Sequence, residues 1–380
     1  MGSFYFVTPW YTIEKSTLHM IKFIDNSAFS FELKKKVREY FTQKNISQKG
    51  NGILYFKTAF WILLCVSLYT TLVFFTPSNT GLSIILCMML GCGCAGVGFN
   101  IMHDAAHGSY SENTRINTFF AHSLDALGAS SYFWDKKHNI THHTFTNTDH
   151  DDDINTAPFL RLYYGQQWKW WYGFQGLYVW VLYACEYILW VFFFDFKKYF
   201  KGRVSHTRIP MNTKQKIFFW SVKVYYLSVY FGIPMYVVGA EKALIGYFVM
   251  ASMCGIVISI VFQLAHIQEK SSFPVPKQTK QEGVSIIENE FYVHQLQTTA
   301  NFATQSRLVS WLLGGLNFQI EHHLFPKISH IHYPALQKIT QDVCRKYDIP
   351  YHHYSTLLDA FESHVRHIYR LSQKQNPASG

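Results

Sequence analysis

Four stretches of this chain, about 59–75, 81–101, 217–238 and 243–265, are apolar over close to the roughly 20 residues that a helix needs to cross the hydrocarbon core of a bilayer. Backbone in lipid has no water to bond to, so such segments satisfy their own N–H and C=O groups only as helices or in a closed barrel. The expected fold class is therefore all-α and integral to the membrane. The four stretches form two hairpins with short turns, 76–80 and 239–242, while the longer connections hold nearly all the Lys and Arg. Seven basic residues fall between Lys197 and Lys216, and nine precede Ala59. By the positive-inside rule, the N-terminal region 1–56, the long middle connection and a C-terminal tail 346–380 are expected in the cytoplasm, around a membrane domain 57–345.

A fifth apolar stretch, about 173–194, is long enough to span and would reverse everything after it. Its crossing would export Lys197, Lys198, Lys201 and Arg203 and would place the histidine groups described below on opposite faces. Its Trp and Tyr content and Glu186 suit a helix lying at the membrane interface, which is how it is read here. The segment after Gln373 is expected to be disordered.

Composition supports this frame: 49% of residues are hydrophobic and only 15% charged. The net charge of +10 would suit nucleic acid, but the basic residues lie between apolar stretches, where they meet anionic lipid headgroups instead. No nucleic-acid partner is expected. Cys65, Cys87, Cys92, Cys94 and Cys254 sit inside apolar stretches, and no Cys-x-x-Cys pair points to zinc or a redox dithiol. The polar, basic start of the chain predicts no signal peptide, and Phe6 spoils a myristoylation pattern.

Nineteen histidines are many for 380 residues, and three groups of them stand out. His103-Asp-Ala-Ala-His107 lies where the second stretch ends, an i, i+4 pair on one helix face. His138-Asn-Ile-Thr-His142-His143 repeats the spacing and adds a neighbour turned about 100° round the helix. Gln319-Ile-Glu-His322-His323 carries the same adjacent pair. Adjacent imidazoles that diverge suit two metal ions better than one, and seven clustered histidines exceed the four or so ligands of a tetrahedral zinc site. Imidazole alone does not name the metal. His266, directly after the fourth stretch, is an eighth candidate that returns to the same surface, and Gln319 is left open as a ligand. Asp104, Glu321 and the acidic run Asp149, Asp151, Asp152 and Asp153 are expected to accept imidazole N–H groups rather than to bind metal themselves. Gly91-Cys-Gly-Cys-Ala-Gly96 matches a dinucleotide fingerprint but lies inside an apolar stretch with no preceding strand, so close helix packing accounts for it better.

The motifs HDAAH, HNITHH and QIEHH, in this order between two apolar hairpins, resemble the three histidine boxes of membrane fatty acid desaturases, over roughly residues 50–345. The resemblance implies a cytoplasmic di-iron centre at the mouth of a helical bundle, oxygen as co-substrate, a fatty acyl substrate carried by coenzyme A or a lipid, and His266 as a further ligand. Gln319 in place of the first histidine of the third box, with the segments 133–139 (FWDKKHN) and 294–301 (HQLQTTAN), is similar to the front-end subgroup, which inserts a double bond on the carboxyl side of an existing one. Many eukaryotic members of that subgroup carry a fused haem domain with an HPGG motif, which this sequence lacks. Electrons are then expected from a separate ferredoxin or b-type cytochrome, and a bacterial inner membrane is favoured over the endoplasmic reticulum. A membrane hydroxylase on the same scaffold is the rival reading. A metal transporter would need histidines near the bilayer midplane, and here they cluster at one end of the apolar stretches.

Overall fold

The computed structural model describes residues 20–154, 158–204, 207–280 and 283–374. Helices dominate, and the short strands among the described residues form one three-stranded and two two-stranded sheets. Helix α1 is Ala28–Lys44 and α2 is Gly52–Phe74; α2 starts at Asn51, whose side chain accepts the Ile53 N–H. A five-residue turn leads to α3, Thr80–Ala106, again capped by an asparagine, Asn79. After the loops and short helices of 107–154 come α4, Trp170–Lys201, then α5, residues 213–238, and α6, Ala240–His266. The last hundred residues add α7 (Phe291–Thr298), α8 (Gln319–Leu324), α9 (Tyr333–Lys346) and α10 (Leu357–Ser372).

Among the described residues, four helices are long and apolar enough to cross a membrane: α2, α3, α4 and α6. Three coincide with expected spans. The fourth is the stretch read from sequence as interfacial, while α5, expected to span, is not in the set, because Lys223 and the tyrosines at 225, 226, 230 and 236 lower its mean hydropathy. Yet α5 turns Ile217, Val224, Leu227, Ile233 and Val237 outward, a face suited to lipid rather than water.

α3 and α6 run side by side in the same direction. A Cβ on Gly91 would lie 2.3 Å from the Met250 carbonyl, and one on Gly246 would lie 3.4 Å from the Cys87 sulfur, so the two helices advance in step. Without a hydrophobic driving force between helices in lipid, such close backbone approach is what lets van der Waals contact hold them together. Gly91 therefore serves packing, as expected. On the other flank of α6, a Cβ on Gly255 would meet the Tyr183 carbonyl at 2.6 Å, and Phe192 lies 6.3 Å from Tyr247, so α4 runs antiparallel to α6.

The parts outside these helices form a cap over the common end of α3 and α6. Phe29, Leu33, Val37 and Phe41 of α1 pack with Leu336, Val343 and Cys344 of α9, and the strand Met20–Phe23 pairs in parallel with Val284–Ile287. The N-terminal region is thus knitted into the C-terminal half. α10 docks on the start of α4, where the Gln175 amide donates to the Ile368 carbonyl at 3.0 Å. Within the segment expected as a tail, residues Leu357–Ser372 are therefore packed helix, and residues 375–380, where disorder is expected, lie outside the described residues.

Candidate metal centre

Both parallel helices deliver histidine at their shared end. In α3 the backbone widens into a π-helical turn over Gly98–Met102 just before His103, and a second π-helical segment, Lys136–His142, carries His138 and His142. Such turns shift the angular spacing of side chains and occur often at functional sites. The third motif arrives on α8, and His266 ends α6.

All eight histidines meet. Candidate ligand atoms of His103, His107, His138 and His322 lie within 4.8 Å of one another, as do those of His142, His266 and His323. His143 stands between the two groups, with ring centroids 4.7 Å from His107 and 4.3 Å from His323. The adjacent pairs 142–143 and 322–323 thus each give one member to one side and one toward the other, as their spacing predicts. Gln319 brings its amide nitrogen to 3.0 Å from Nε2 of His266, so it borders the second group.

The chemistry of the donors fits a metal. Nε2 of His107, His142, His322 and His323 is buried and makes no hydrogen bond among the described residues, a costly arrangement unless a cation occupies the space between them. Burial, and then the neighbouring imidazoles, push His138, His143, His322 and His323 well below the ordinary histidine value, which keeps them neutral with lone pairs free. At His142, burial works the same way but is outweighed by Asp151 and Asp153, which favour a positive charge on the ring.

The partners behind the rings set which nitrogen faces inward. Asp151, itself fully buried, accepts from Nδ1 of His142 at 3.0 Å, and the Thr298 carbonyl faces Nδ1 of His266 at 3.3 Å. Nδ1 of His323 donates to Oε1 of Gln295 at 2.8 Å, and the Tyr333 hydroxyl lies 3.2 Å from Nδ1 of His322. Each pairing leaves Nε2 pointing into the cluster. Of the acidic residues expected in this role, Asp151 takes it. Asp153 lies 3.7 Å from Nδ1 of His142 and pairs with Lys137. Asp104 and Glu321 do not touch a motif histidine: Asp104 accepts from Ser329 at 2.7 Å and faces His330, and Glu321 accepts from Asn301 and Tyr351. Neighbours on a helix diverge by about 100°, which turns Asp104 away from His103 and Glu321 away from His322 toward these other partners. Asp149 bonds to His150 instead.

Sequence reasoning did not assign Gln295, Tyr333 or Trp134. Trp134 stacks on His138 with centroids 4.3 Å apart and edges His103 at 5.8 Å, closing one wall of the cluster. All three lie outside the histidine spacings. Only the segments 133–139 and 294–301 marked two of them.

The fatty acid desaturase family profile matches residues 79–355, which span every histidine of the cluster. The chain belongs to the fatty acid desaturase family. Its relatives include the sn-1 linoleoyl-lipid 6-desaturase of Synechocystis, 34% identical over 354 residues that cover 92% of this chain and 97% of that protein. The enzyme of the same name from Arthrospira platensis is 32% identical, over 94% and 96%. An acyl-lipid (8-3)-desaturase of Physcomitrium patens is 31% identical over 90% of this chain and 72% of its own length. The desaturase is an oxidoreductase of acyl chains and, with its four apolar helices, a membrane protein.

Proposed function

We propose that this desaturase is a front-end enzyme that uses molecular oxygen to insert a cis double bond into a lipid-linked acyl chain, on the carboxyl side of an existing one. The convergence of eight histidines, four of which (His107, His142, His322 and His323) keep an unbonded, inward Nε2, carries this reading. The relatives acting on linoleoyl-lipid support the regiochemistry and the lipid carrier. Two iron ions would be held by His103, His107, His138 and His322 on one side and by His142, His266 and His323 on the other, with His143 between and Gln319 beside the second. Iron bound there would supply, with oxygen and two electrons, the oxidising power to remove two hydrogens from adjacent methylenes, the oxygen leaving as two waters. The protein's own part is to fix the ring nitrogens, to exclude water through Trp134 and the packed cap, and to hold one carbon–carbon bond of the chain beside the cluster. Electrons come from a separate donor, a ferredoxin or b-type cytochrome.

The membrane domain is taken as α2, α3, α5 and α6, with the cluster on the cytoplasmic face. Because α3 and α6 are parallel neighbours ending at one site, the chain between them crosses an odd number of times, so α4 and α5 do not both span. α5 joins α6 through the single residue Gly239 and shares its lipid-facing character. Both ends of α4 are tied to the cap: the Trp168 ring N–H donates to the Ser372 carbonyl at 3.0 Å, and Asp195 accepts the Ser130 N–H at 2.7 Å. On this reading α4 dips into the interface and returns, and the seven basic residues from Lys197 to Lys216, at its end and beyond, stay cytoplasmic.

The test is expression in a desaturase-poor host fed single polyunsaturated precursors, with mass spectrometry of derivatised fatty acids. New double bonds on the carboxyl side of existing ones are expected. Bonds placed only on the methyl side would refute the front-end assignment, and predominantly hydroxylated lipid would replace the desaturase by an oxygenase.

A further inference from the structure

One side chain touches two of the three histidine motifs at once. Gln295 is fully buried on α7, 28 residues before His323. Its Nε2 donates to the His143 carbonyl at 3.1 Å, and its Oε1 lies 2.8 Å from Nδ1 of His323. These two contacts fix the amide's orientation, because the carbonyl of His143 demands the NH2 group and so leaves the oxygen on the His323 side. An oxygen there accepts, so Nδ1 of His323 carries the proton and Nε2 is bare. That Nε2 is buried, unbonded and within the cluster. Thr146, 2.9 Å from the same Oε1 and 2.6 Å from the His142 carbonyl, holds the second motif against the amide.

We propose that Gln295 is a positioning residue for the metal centre: it sets the tautomer of His323 and locks the second histidine motif to the third. The inference rests on the reading of His323 as a ligand. A partner of this kind behind a ligating imidazole is worth about 10–100-fold in metal affinity. The notable point is that a neutral amide does here what a carboxylate does behind His142, so one histidine of the second group is backed by a charge and another is not.

The experiment uses the full-length protein purified in detergent, stripped of metal and titrated with cobalt(II), reading affinity and the visible ligand-field bands. Gln295→Leu should bind cobalt at least tenfold more weakly, with displaced bands. Gln295→Glu keeps an acceptor opposite Nδ1 of His323 and should recover most of the affinity, with bands shifted by the more basic imidazole; a role confined to filling space would not produce that recovery. Parent-like affinity and spectrum in Gln295→Leu would overturn the proposal, as would equal losses in both folded variants. If the leucine protein does not fold, Gln295→Glu decides by the same two readouts. His323→Ala is the control: unchanged cobalt binding in it would remove His323 from the ligand set, whereas loss there with none in Gln295→Leu would defeat this inference alone.

Discussion

Replacing Lys223 by methionine should be among the most destabilising single changes in the membrane domain. The ammonium sits 3.1 Å from Oδ2 of Asp195 and donates to the carbonyls of Gly128 and Val191 at 2.7 and 3.0 Å, and both side chains are buried. At that separation, with an effective dielectric constant of about 20, the Coulomb attraction is about 5 kcal/mol before either ion's desolvation is counted. Much of that attraction is cancelled by desolvation, so the pair's net worth is small, but breaking it strands a carboxylate whose other oxygen already lacks a partner among the described residues. The expected cost is about 3–5 kcal/mol. Asp195→Asn should cost less, because Lys223 keeps two carbonyl partners. The double variant Lys223→Met with Asp195→Leu, an apolar pair of similar bulk, should recover at least about 2 kcal/mol of the summed single losses. Thermal unfolding of the detergent-purified proteins, followed by intrinsic fluorescence, measures all three. A midpoint for Lys223→Met within a degree of the parent, or strict additivity in the double variant, would refute the reasoning. The pair matters to function because it ties α4 and α5 to residues 128–130, and Trp134 of the same segment stacks on His138. Product formation should therefore fall with stability in Lys223→Met and return in the double variant.

Two further outcomes follow from the packing. Gly255→Val, which drives a side chain into the Tyr183 and Ala184 carbonyls, should destabilise by about 1–3 kcal/mol or more by forcing α4 off α6, read as a lower thermal midpoint; an unchanged midpoint would mean that the two helices are not held in close contact there. His294, buried beside Phe23, is pushed by burial down to about 4, so it stays neutral in the folded protein where the unfolded chain would bind a proton. The unfolded state then holds more protons between about pH 6.5 and 4, and stability is lost as pH falls through that window. His294→Leu should flatten this part of the stability–pH curve, and an unaltered slope in denaturant titrations at pH 7, 6 and 5 would count against it.

The histidine motifs were legible in the sequence because a metal site dictates residue type and helical spacing dictates which residues share a face. The second layer was less so. Asp151 lies only nine residues beyond His142 and could be guessed from its charge, but Gln295 and the Thr298 carbonyl reach the cluster through chain reversals that no spacing announces. Asp104 and Glu321 misled for a related reason: adjacency along a helix is separation around it. The spans show a different limit. Hydropathy is a sum over a window, and it ranks α4 above α5 because tyrosines and one buried lysine count against a helix whether they face lipid, protein or water. Topology is a parity, fixed by where the ends meet. Because α3 and α6 run parallel into one cluster, the proposed topology needs an odd number of crossings between them whatever the individual scores, and it leaves out the helix whose two ends both bond to the cap. The charge pattern favours the same proposed arrangement from sequence alone, because a crossing by α4 would both export Lys197, Lys198, Lys201 and Arg203 and split the histidine motifs between two faces.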